Sequence, residues 1–461
     1  MKIVVVGTGF LGLVQAAVCS EYGHEVHGYD IDSDRVRAYS SGKAREIERY
    51  VYEPGLVNLI NETLGKYLFF TDDLASVIEG TDVFFFCLPT PTNPDGSTDL
   101  SYYQSALELT AKLLAKRKDR RRVLLVNRST LPIGTVRYME KVLTDNRVPN
   151  FGVASNPEFL AEGSAVIQAR KPDRVVVGCD RDEDFQMLRR VYSQFVNHVR
   201  IKYIETTPET AEAIKYVANA LLLNYISFWN GVGARIGENF PNIRIEDLRR
   251  GVTADERIST WGSYVSNGAG GRSFNHDVRS IVFQLQSIGV DTRILEASLD
   301  VNEFQKEYLV YRAMDEAGFS FRGKTIALLG LAFKKQTNDV SYASSLRVVE
   351  LLLQNGVKQI RTYDPLALPE AQKVFDPRVN DAFQKISYHT SASEAIEGSA
   401  ALFISTDWEE FRGLSAIVER VVSPPYLIID GRRMIPDYQN LVQRGYTYLA
   451  VGSKLLKPEA Q

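Results

Sequence analysis

Short apolar runs rich in β-branched residues alternate with longer stretches of helical periodicity over the N-terminal part of the chain. The clearest of these runs lie at residues 2–6, 25–29, 83–88, 123–126 and 173–178. Continuous apolar runs of this length are typical of strands that are buried on both faces of a parallel sheet. Their alternation with helical segments predicts a doubly wound α/β fold.

The first strand leads directly into a glycine-rich turn, whose sequence is Gly7-Thr-Gly9-Phe10-Leu11-Gly12. A helical stretch and a second strand follow, and that strand ends at Asp30. This order is the pattern of a dinucleotide-binding βαβ unit. Gly7 permits the tight turn, Gly9 lets the backbone approach a pyrophosphate, and Gly12 allows the helix to pack closely on the strand. Asp30 is placed to accept hydrogen bonds from an adenosine ribose, which favours NAD over NADP.

The pattern changes after Pro208, where a long helical stretch without proline continues to about Glu238. It is too apolar for a solvated linker, so we expect a buried spine between domains or a subunit interface. A second α/β unit begins near Gly323, and its predicted strands lie at residues 325–329, 360–363, 401–404 and 427–429. We therefore expect two Rossmann-type domains, residues 1–203 and 313–461, joined by a helical middle domain, residues 204–312.

Composition narrows the function classes. The 461-residue chain has a formal net charge of −3, which gives no reason to expect a nucleic acid or an anionic membrane as partner. No apolar run reaches the roughly 20 residues that span a bilayer, and the first strand leaves no room for a signal peptide. Cys19, Cys87 and Cys179 lie far apart without metal-ligand spacing. We interpret them as packing residues of a cytoplasmic protein that holds no metal.

Further motifs follow one another along nearly the whole chain. They are Tyr52-Glu-Pro-Gly55, Pro89-Thr-Pro91, Ser129-Thr130, Gly134-Thr135, Asn156-Pro-Glu-Phe-Leu160, Thr210-Ala-Glu212, Lys215-Tyr216, Asn219-Ala220, Gly330-Leu-Ala-Phe-Lys334, Tyr363-Asp-Pro365, Thr406-Asp-Trp408 and Asp430-Gly-Arg432. In this order the chain resembles the UDP-glucose/GDP-mannose 6-dehydrogenase family of nucleotide-sugar oxidoreductases. The resemblance implies a four-electron oxidation, in which a C6 alcohol becomes an aldehyde, a cysteine traps it, and a thioester is hydrolysed to the acid. It also implies that the C-terminal unit holds the nucleotide of the substrate.

One departure from the family falls on the nucleophile. Family members read Gly-x-Gly-Gly-Ser-Cys-Phe-Pro-Lys-Asp, whereas this chain reads Gly268-Ala-Gly-Gly-Arg-Ser273-Phe-Asn-His276-Asp277. Ser273 occupies the position of the cysteine, and a serine hydroxyl needs a strong adjacent base to act as a nucleophile. The first oxidation needs no thiol, so we expect a reaction that stops at the aldehyde or reaches the acid by direct hydration. In the second route Asp277, Glu158 or Lys215 would activate water.

His276 could serve Ser273 as a base only if the loop turned back, so a surface or phosphate-facing histidine is favoured. Other departures accompany the missing thiol. The chain reads Tyr225-Ile-Ser-Phe-Trp-Asn-Gly231 where the family has Lys-Ile-Ser-Phe-x-Asn-Glu, and residues 337–344 lack the family arginine that follows Lys334. This set of changes favours an altered reaction or substrate.

The resemblance implies roles for retained residues. Lys215 and Asn219, four positions apart on one helix face, would hold the C6 oxygen and a water, and Lys215 would stabilise oxyanion character. Glu158 would steer a proton, Thr130 would bond to NAD or water, and Asp277 would orient Lys215 or water. With Ser273 these form the candidate catalytic set. The candidate cofactor set is Gly7, Gly9, Phe10, Leu11, Gly12, Asp30, Arg35, Pro89, Thr130 and Lys334. The candidate substrate set is Glu158, Phe159, Leu160, Lys215, Asn219, Arg257, Gly270, Phe274, Phe333, Lys334 and Arg432, of which Arg257 would reach a neighbouring subunit's substrate.

The expected function is therefore that of an NAD-dependent nucleotide-sugar 6-dehydrogenase, acting on a UDP-hexose of the glucose type. The apolar central helix suggests a homodimer or a higher homo-oligomer. Two alternatives stay open. One is a non-catalytic homologue that binds a nucleotide sugar or NAD, and the other is a dehydrogenase of a different nucleoside- or nucleotide-linked alcohol.

Overall fold

The computed structural model describes residues 1–459. The chain divides into two compact units. Unit 1 comprises residues 1–218 and 279–290, and unit 2 comprises residues 219–278 and 291–461. Each unit is built on one sheet.

Unit 1 contains an eight-stranded sheet in the order β3-β2-β1-β4-β5-β6-β7-β8. Its strands are β1 Lys2–Val6, β2 Glu25–Tyr29, β3 Leu68–Thr71, β4 Val83–Phe86, β5 Val123–Asn127, β6 Phe151–Ser155, β7 Arg174–Cys179 and β8 Lys202–Thr206. Neighbouring strands are parallel except β6 and β7. Alternate residues of β1 enter two different apolar cores, because both faces of the sheet are covered.

The helices that follow the strands of unit 1 cover both faces of this sheet. They are α1 Phe10–Glu21, α2 Ser33–Ser40, α3 Ala44–Glu48, α4 Leu56–Thr63, α5 Ser101–Ala115, α6 Thr135–Asp145, α7 Ala165–Arg170, α8 Asp182–Val191 and α9 Ser193–Val196, with a 3₁₀ turn at Leu74–Val77. The strand order reverses between β1 and β4. Ligands of open α/β sheets bind beyond the carboxyl ends of the strands at such a point, which here lies at the Gly7–Gly12 turn.

Unit 2 contains a six-stranded parallel sheet in the order β11-β10-β9-β12-β13-β14. Its strands are β9 Thr325–Leu329, β10 Gln359–Tyr363, β11 Ile386–Tyr388, β12 Ala401–Ile404, β13 Leu427–Asp430 and β14 Thr447–Ala450. A single apolar core runs from Trp229 to Val451.

Two of the remaining helices, α10 and α13, run through a unit boundary. The helices are α10 Pro208–Phe228, α11 Ala234–Asn239, α12 Ile245–Val252, α13 Arg272–Ser287, α14 Arg293–Asp315, α15 Ser344–Gln354, α16 Leu368–Val374, α17 Ala392–Ile396, α18 Leu414–Val421 and α19 Tyr438–Gln443. A π-helical turn, Trp229–Gly233, joins α10 to α11, and 3₁₀ turns lie at Asp381–Lys385 and Glu409–Gly413.

The predicted architecture, two Rossmann-type sheets and a helical middle, is confirmed. The strands predicted at residues 325–329 and 401–404 have the predicted bounds. The long helix after Pro208 also forms, although the π-helical turn interrupts it before Glu238. The glycine-rich segment differs from the prediction of a loop, because α13 already begins at Arg272. Ser273, His276 and Asp277 therefore lie on a helix.

Three features bear on the class of protein. Within residues 1–459, no helix combines the length and apolar character needed to cross a membrane. Cys19, Cys87 and Cys179 are all buried and unpaired, as expected for packing residues. Across the same residues, no group of His, Cys, Asp and Glu side chains has the arrangement of a metal site.

Candidate active site

The Gly7–Gly12 turn has the geometry that a dinucleotide requires. Gly7 has a φ of +88°, and a Cβ on Gly12 would lie 1.9 Å from the Gly7 carbonyl oxygen, so neither position accepts a side chain. A Cβ on Gly9, in contrast, would meet nothing within 4 Å. Gly9 is the N-cap of α1 and provides no side-chain cap, and the first turn of α1 has no acidic residue. Phe10 and Leu11 are the first residues of this helix. The turn therefore fits the pyrophosphate of a dinucleotide, which would take the helix N–H groups.

Asp30, at the end of β2, is buried and anchored to the same turn. Its Oδ2 accepts hydrogen bonds from Thr8 N at 2.8 Å, Thr8 Oγ1 at 2.9 Å and Arg35 Nη1 at 3.0 Å. Its Oδ1 accepts one from Asp32 N at 3.1 Å. Burial acts to raise the pKa of Asp30, but these hydrogen bonds and the Arg35 charge outweigh it, so the pKa is below its usual range. The ionised carboxylate retains acceptor capacity at Oδ1, which fits a ribose hydroxyl. The residues present therefore fit NAD.

The loops that follow β4 and β5 are tied together by one serine. Ser129 Oγ donates to the Leu88 carbonyl and accepts from Leu88 N, each at 2.7 Å. Pro89, the next residue, is exposed, and Thr130 is half-buried. Both candidate cofactor residues thus lie at the carboxyl edge of the parallel strands, where sequence reasoning expected them.

Lys215 and Glu158 form a buried ion pair in unit 1. Lys215 Nζ donates to Glu158 Oε1 at 2.9 Å, and the other carboxylate oxygen accepts from Leu160 N at 2.5 Å. Burial acts to raise the pKa of Glu158, but the Lys215 charge and both hydrogen bonds outweigh it, so the pKa is lowered. The Arg174 guanidinium lies over the Phe159 ring, with its central carbon 3.8 Å from the ring centroid. Lys215 Nζ lies 5.7 Å from the same centroid. The Leu160 N–H and the Phe159 ring thus contact the two members of the ion pair.

A small cavity in unit 1 brings Thr130 and Lys215 together with a residue that sequence reasoning missed, Glu212. The other lining residues are Asn127, Ser129, Leu131, Ser155 and Pro157. Glu212 Oε2 accepts from Gly134 N at 2.7 Å, and Oε1 accepts from Val136 N and from Ser155 Oγ, each at 3.1 Å. Burial raises the pKa of Glu212 to about 7 although these hydrogen bonds oppose the shift. Its spacing of three from Lys215, one helical turn, was the available signal.

In unit 2, Asp277 joins two neighbours. Asn219 Nδ2 donates to Asp277 Oδ2 at 2.5 Å, and His276 Nδ1 lies 2.8 Å from Asp277 Oδ1. Both Asp277 and Asn219 are buried. Ser273, one turn before His276 on α13, is exposed, and its hydroxyl has no hydrogen-bond partner within residues 1–459. The helix places His276 on the Ser273 side without the reversal that a loop would have needed.

The glycine-rich segment packs against Phe333. A Cβ on Gly270 would lie 2.7 Å from Phe333 Cβ, and one on Gly271 would lie 2.8 Å from the Phe333 ring. Arg432 Nε donates to the Ser405 carbonyl at 2.8 Å, and its Nη2 lies 3.3 Å from the Phe333 carbonyl. Burial lowers the pKa of Arg432. These contacts bring together three candidate substrate residues of unit 2, Gly270, Phe333 and Arg432. The fourth, Phe274, lies in the first turn of α13.

Two predicted residues lie apart from these clusters. Arg257 is 88% exposed and pairs with Asp255 at 2.6 Å. Its side chain is directed to its own turn. Lys334 is half-buried, with Nζ 5.8 Å from the centroid of the Phe333 ring, so it belongs to the Phe333 surroundings in unit 2. Every other candidate cofactor residue lies in unit 1.

Known proteins match the chain over nearly its full length. A UDP-glucose 6-dehydrogenase of Pseudomonas aeruginosa is 35% identical over 459 residues, which cover 98% of this chain and 97% of the relative. The UDP-glucose 6-dehydrogenase TuaD of Bacillus subtilis is 32% identical over 457 residues, which cover 98% of this chain and 93% of the relative. The solved structure of a UDP-glucose dehydrogenase from Pyrobaculum islandicum has a TM-score of 0.86 at 29% identity, with 98% of both chains covered.

The family models divide the chain into three matched parts. Residues 1–196 match the NAD binding domain of the UDP-glucose/GDP-mannose dehydrogenase family, residues 209–304 its central domain, and residues 327–437 its UDP binding domain. The predicted cofactor, NAD, and the predicted class, an oxidoreductase acting on a CH–OH group, are thereby confirmed. The chain belongs to the UDP-glucose/GDP-mannose dehydrogenase family of NAD-dependent nucleotide-sugar oxidoreductases.

Proposed function

We propose that this protein oxidises the C6 hydroxyl of a UDP-hexose of the glucose type without forming a thioester. The observation that carries the proposal is the retention of two polar clusters, Lys215–Glu158 in unit 1 and Asn219–Asp277 in unit 2, in a chain whose helix α13 bears Ser273 in place of a thiol. The names of the relatives, UDP-glucose 6-dehydrogenases, support the choice of hexose and nucleotide.

Bound NAD supplies the acceptor for the hydride that leaves C6. Lys215, a fixed ammonium, stabilises negative charge on the C6 oxygen as the alcohol loses its proton. Glu158, whose lowered pKa keeps it ionised, moves that proton, directly or through water, and Thr130 positions the water or the cofactor. Asn219, oriented by Asp277, holds the oxygen from its amide. Each of these groups is buried or half-buried, so water competes little with the substrate for it.

Ser273 limits how the second oxidation proceeds. A thiol beside a helix N-terminus supplies a thiolate at neutral pH, whereas a serine hydroxyl does so only with a base in contact. No hydrogen bond joins Ser273 to a base within residues 1–459. The reaction therefore stops at the aldehyde or passes through its hydrate.

Substrate recognition is assigned to unit 2. Gly270, Phe274, Phe333, Lys334 and Arg432 would surround the nucleotide and the sugar, as the match to a UDP binding domain supports. In the same proposal Arg257 reaches the substrate of a neighbouring subunit. Its exposure on a surface turn is compatible with that role.

The oligomer is proposed to be at least a dimer, assembled through the central helix. Three apolar side chains of α10, Val217, Leu221 and Phe228, are 63%, 65% and 54% exposed, which is unusual for one helix of a monomer. We also propose a cytoplasmic location and domain boundaries at residues 203/204 and 312/313.

The test is the ratio of NADH formed to sugar consumed, with mass spectrometry of the product. NAD would be supplied with UDP-glucose, UDP-N-acetylglucosamine and GDP-mannose in parallel. We expect turnover with UDP-glucose and an aldehyde, a hydrate or an acid as product. Turnover with another sugar alone would overturn the substrate. NAD binding without turnover on any of the three would favour the non-catalytic homologue or a different alcohol.

A further inference from the structure

The imidazole of His276 contacts a buried carboxylate through one nitrogen and leaves the other nitrogen without a partner among residues 1–459. The function proposed above assigns it no role. Its Nδ1 lies 2.8 Å from Asp277 Oδ1, and its side chain is 13% exposed. Its other nitrogen, Nε2, is buried and has no hydrogen-bond partner within the described chain. A buried nitrogen without a partner is costly unless a ligand or water completes it.

The Asp277 carboxylate decides which nitrogen carries the proton. An ionised carboxylate can only accept hydrogen bonds, and Asp277 already accepts one from Asn219 Nδ2 at 2.5 Å. Nδ1 of a neutral His276 must therefore be the donor, which leaves a lone pair on Nε2. The pair has the form of an oriented general base, in which a buried carboxylate fixes the tautomer of the imidazole.

We propose that His276 Nε2 is the base that activates water on the aldehyde, and that this step replaces the missing thiol. The inference rests on the proposed function and extends it to the complete oxidation. The oxygen of water bonds to C6 while its proton passes to Nε2, and the aldehyde oxygen then takes a proton from the imidazolium. The hydrate loses a hydride to NAD and a hydroxyl proton to Nε2, which yields the carboxylic acid and a second NADH.

Ser273 offers a competing route through the same histidine. It precedes His276 by three residues on α13, so a serine ester formed with His276 as base is the alternative to attack by water. The water route is favoured because Ser273 Oγ is exposed and makes no hydrogen bond to Nε2. Because Nε2 itself is buried in this structure, the water route requires a local movement that admits water to this nitrogen.

The experiment compares three variants with the wild-type enzyme under excess NAD and UDP-glucose, with an aldehyde-trapping reagent in parallel. For His276→Gln we expect the first NADH to form within about threefold of the wild-type rate, whereas acid formation falls about 100-fold or more. NADH per sugar then falls from two towards one, and trapped aldehyde accumulates. His198→Gln, a change at an exposed histidine of unit 1, should leave the wild-type ratio unchanged.

Ser273→Ala separates the two routes, because we expect it to keep acid formation while intact-mass spectra of the wild type show no acyl adduct. Loss of acid in Ser273→Ala, or an ester on Ser273, would overturn the water route. Unchanged acid formation in His276→Gln would overturn the role of His276. One NADH per sugar in the wild type would overturn the inference and leave the proposed function standing, whereas no NADH at all would overturn the latter.

A readout without substrate checks the tautomer. Nitrogen-15 spectra of the protein should place the proton of neutral His276 on Nδ1, and Asp277→Asn should disturb that assignment. A proton on Nε2 in the wild type would contradict the proposal. Thermal unfolding and NAD binding of His276→Gln would show that the variant is folded.

Discussion

Lys215 Nζ and Glu158 Oε1 lie 2.9 Å apart, with side chains that are 4% and 13% exposed. Taking both charges out of water is expensive, and their attraction only partly offsets that free energy. A pair of this kind contributes little net stability, so its presence between helix α10 and the segment after β6 is better explained by chemistry than by folding. Loss of either partner would leave the other as an uncompensated buried charge, which lowers the free energy of unfolding.

Lys215→Met is expected to abolish turnover and to destabilise unit 1. The variant leaves Glu158 as a buried charge without its partner, which lowers the free energy of unfolding by about 3–5 kcal/mol. The rate of NADH formation should fall at least 100-fold, since a fixed cation at the C6 oxygen is lost. Urea unfolding and initial rates would measure the two effects. In Lys215→Met/Glu158→Gln most of the stability should return without the activity, and recovery of both together would contradict this account.

Gly12→Ala should remove NAD binding. The new methyl carbon would lie 1.9 Å from the Gly7 carbonyl oxygen, so α1 must move away from the turn that faces the pyrophosphate. We expect the dissociation constant for NAD, measured by calorimetry, to rise at least 100-fold. Gly251→Ala is the matched control, because a Cβ there meets nothing within 4 Å on α12. That variant should bind NAD normally, and equal effects of the two substitutions would count against the packing argument.

Glu212 predicts a pH dependence of stability. Its pKa rises from 4.5 to about 7 on folding, so the folded protein binds the proton more tightly than the unfolded chain. The stabilisation is therefore present below pH 4.5 and is lost as the pH rises through 7, by a total of about 3 kcal/mol. Unfolding midpoints measured across this window should fall with pH in the wild type.

In Glu212→Gln that slope should be absent. The midpoint should also drop at every pH, because Gly134 N and Val136 N donate to different carboxylate oxygens and one of these is replaced by an NH2 group, which cannot accept. Glu209→Gln, a change at an acid of the same helix, should keep the slope. The pKa of Glu209 is lowered, chiefly by its hydrogen bond to Arg137. The contribution of Glu209 to the free energy of unfolding is therefore lost only below pH 4.5, outside the range in which Glu212 acts. A slope shared by Glu212→Gln and the wild type would assign it to another group.

Thiol reagents should leave the wild-type enzyme active. Burial raises the pKa of Cys19 and of Cys87 to about 12 and raises that of Cys179 further, so none supplies a thiolate to iodoacetamide at neutral pH. Under the same iodoacetamide treatment, the new cysteine of the Ser273→Cys variant should become alkylated, because this position is solvent-exposed on the first turn of α13. Peptide mass spectra and residual activity would follow both proteins. Rapid inactivation of the wild type would show that a thiol takes part after all.

Local signals sufficed wherever the chemistry is carried by consecutive residues. The Gly7–Gly12 turn, its strand and Asp30 lie within one βαβ unit, so their spacing alone predicted the cofactor, and the family match confirmed it. The order of strands and helices likewise predicted both sheets, since alternating apolar runs leave few other folds. Ser273 was identified as a departure because the glycines around it fix the alignment of the motif with its family.

Contacts between distant segments could not be derived in this way. Glu212 was named only as part of the motif Thr210-Ala-Glu212, and only the folded chain shows that it is buried against Gly134 N, Val136 N and Ser155 Oγ. His276 was expected in a loop, because glycines precede it, and the start of α13 at Arg272 was not foreseen.

The sequence by itself thus determined the cofactor and the architecture, because both depend on residue type and local spacing, and its resemblance to the family motif identified the missing thiol. The tertiary structure decided which charges are paired and which polar atoms lack a partner, as at Lys215–Glu158 and His276 Nε2. The physical reason is that burial and hydrogen bonding, which set protonation and reactivity, depend on segments that only folding brings together.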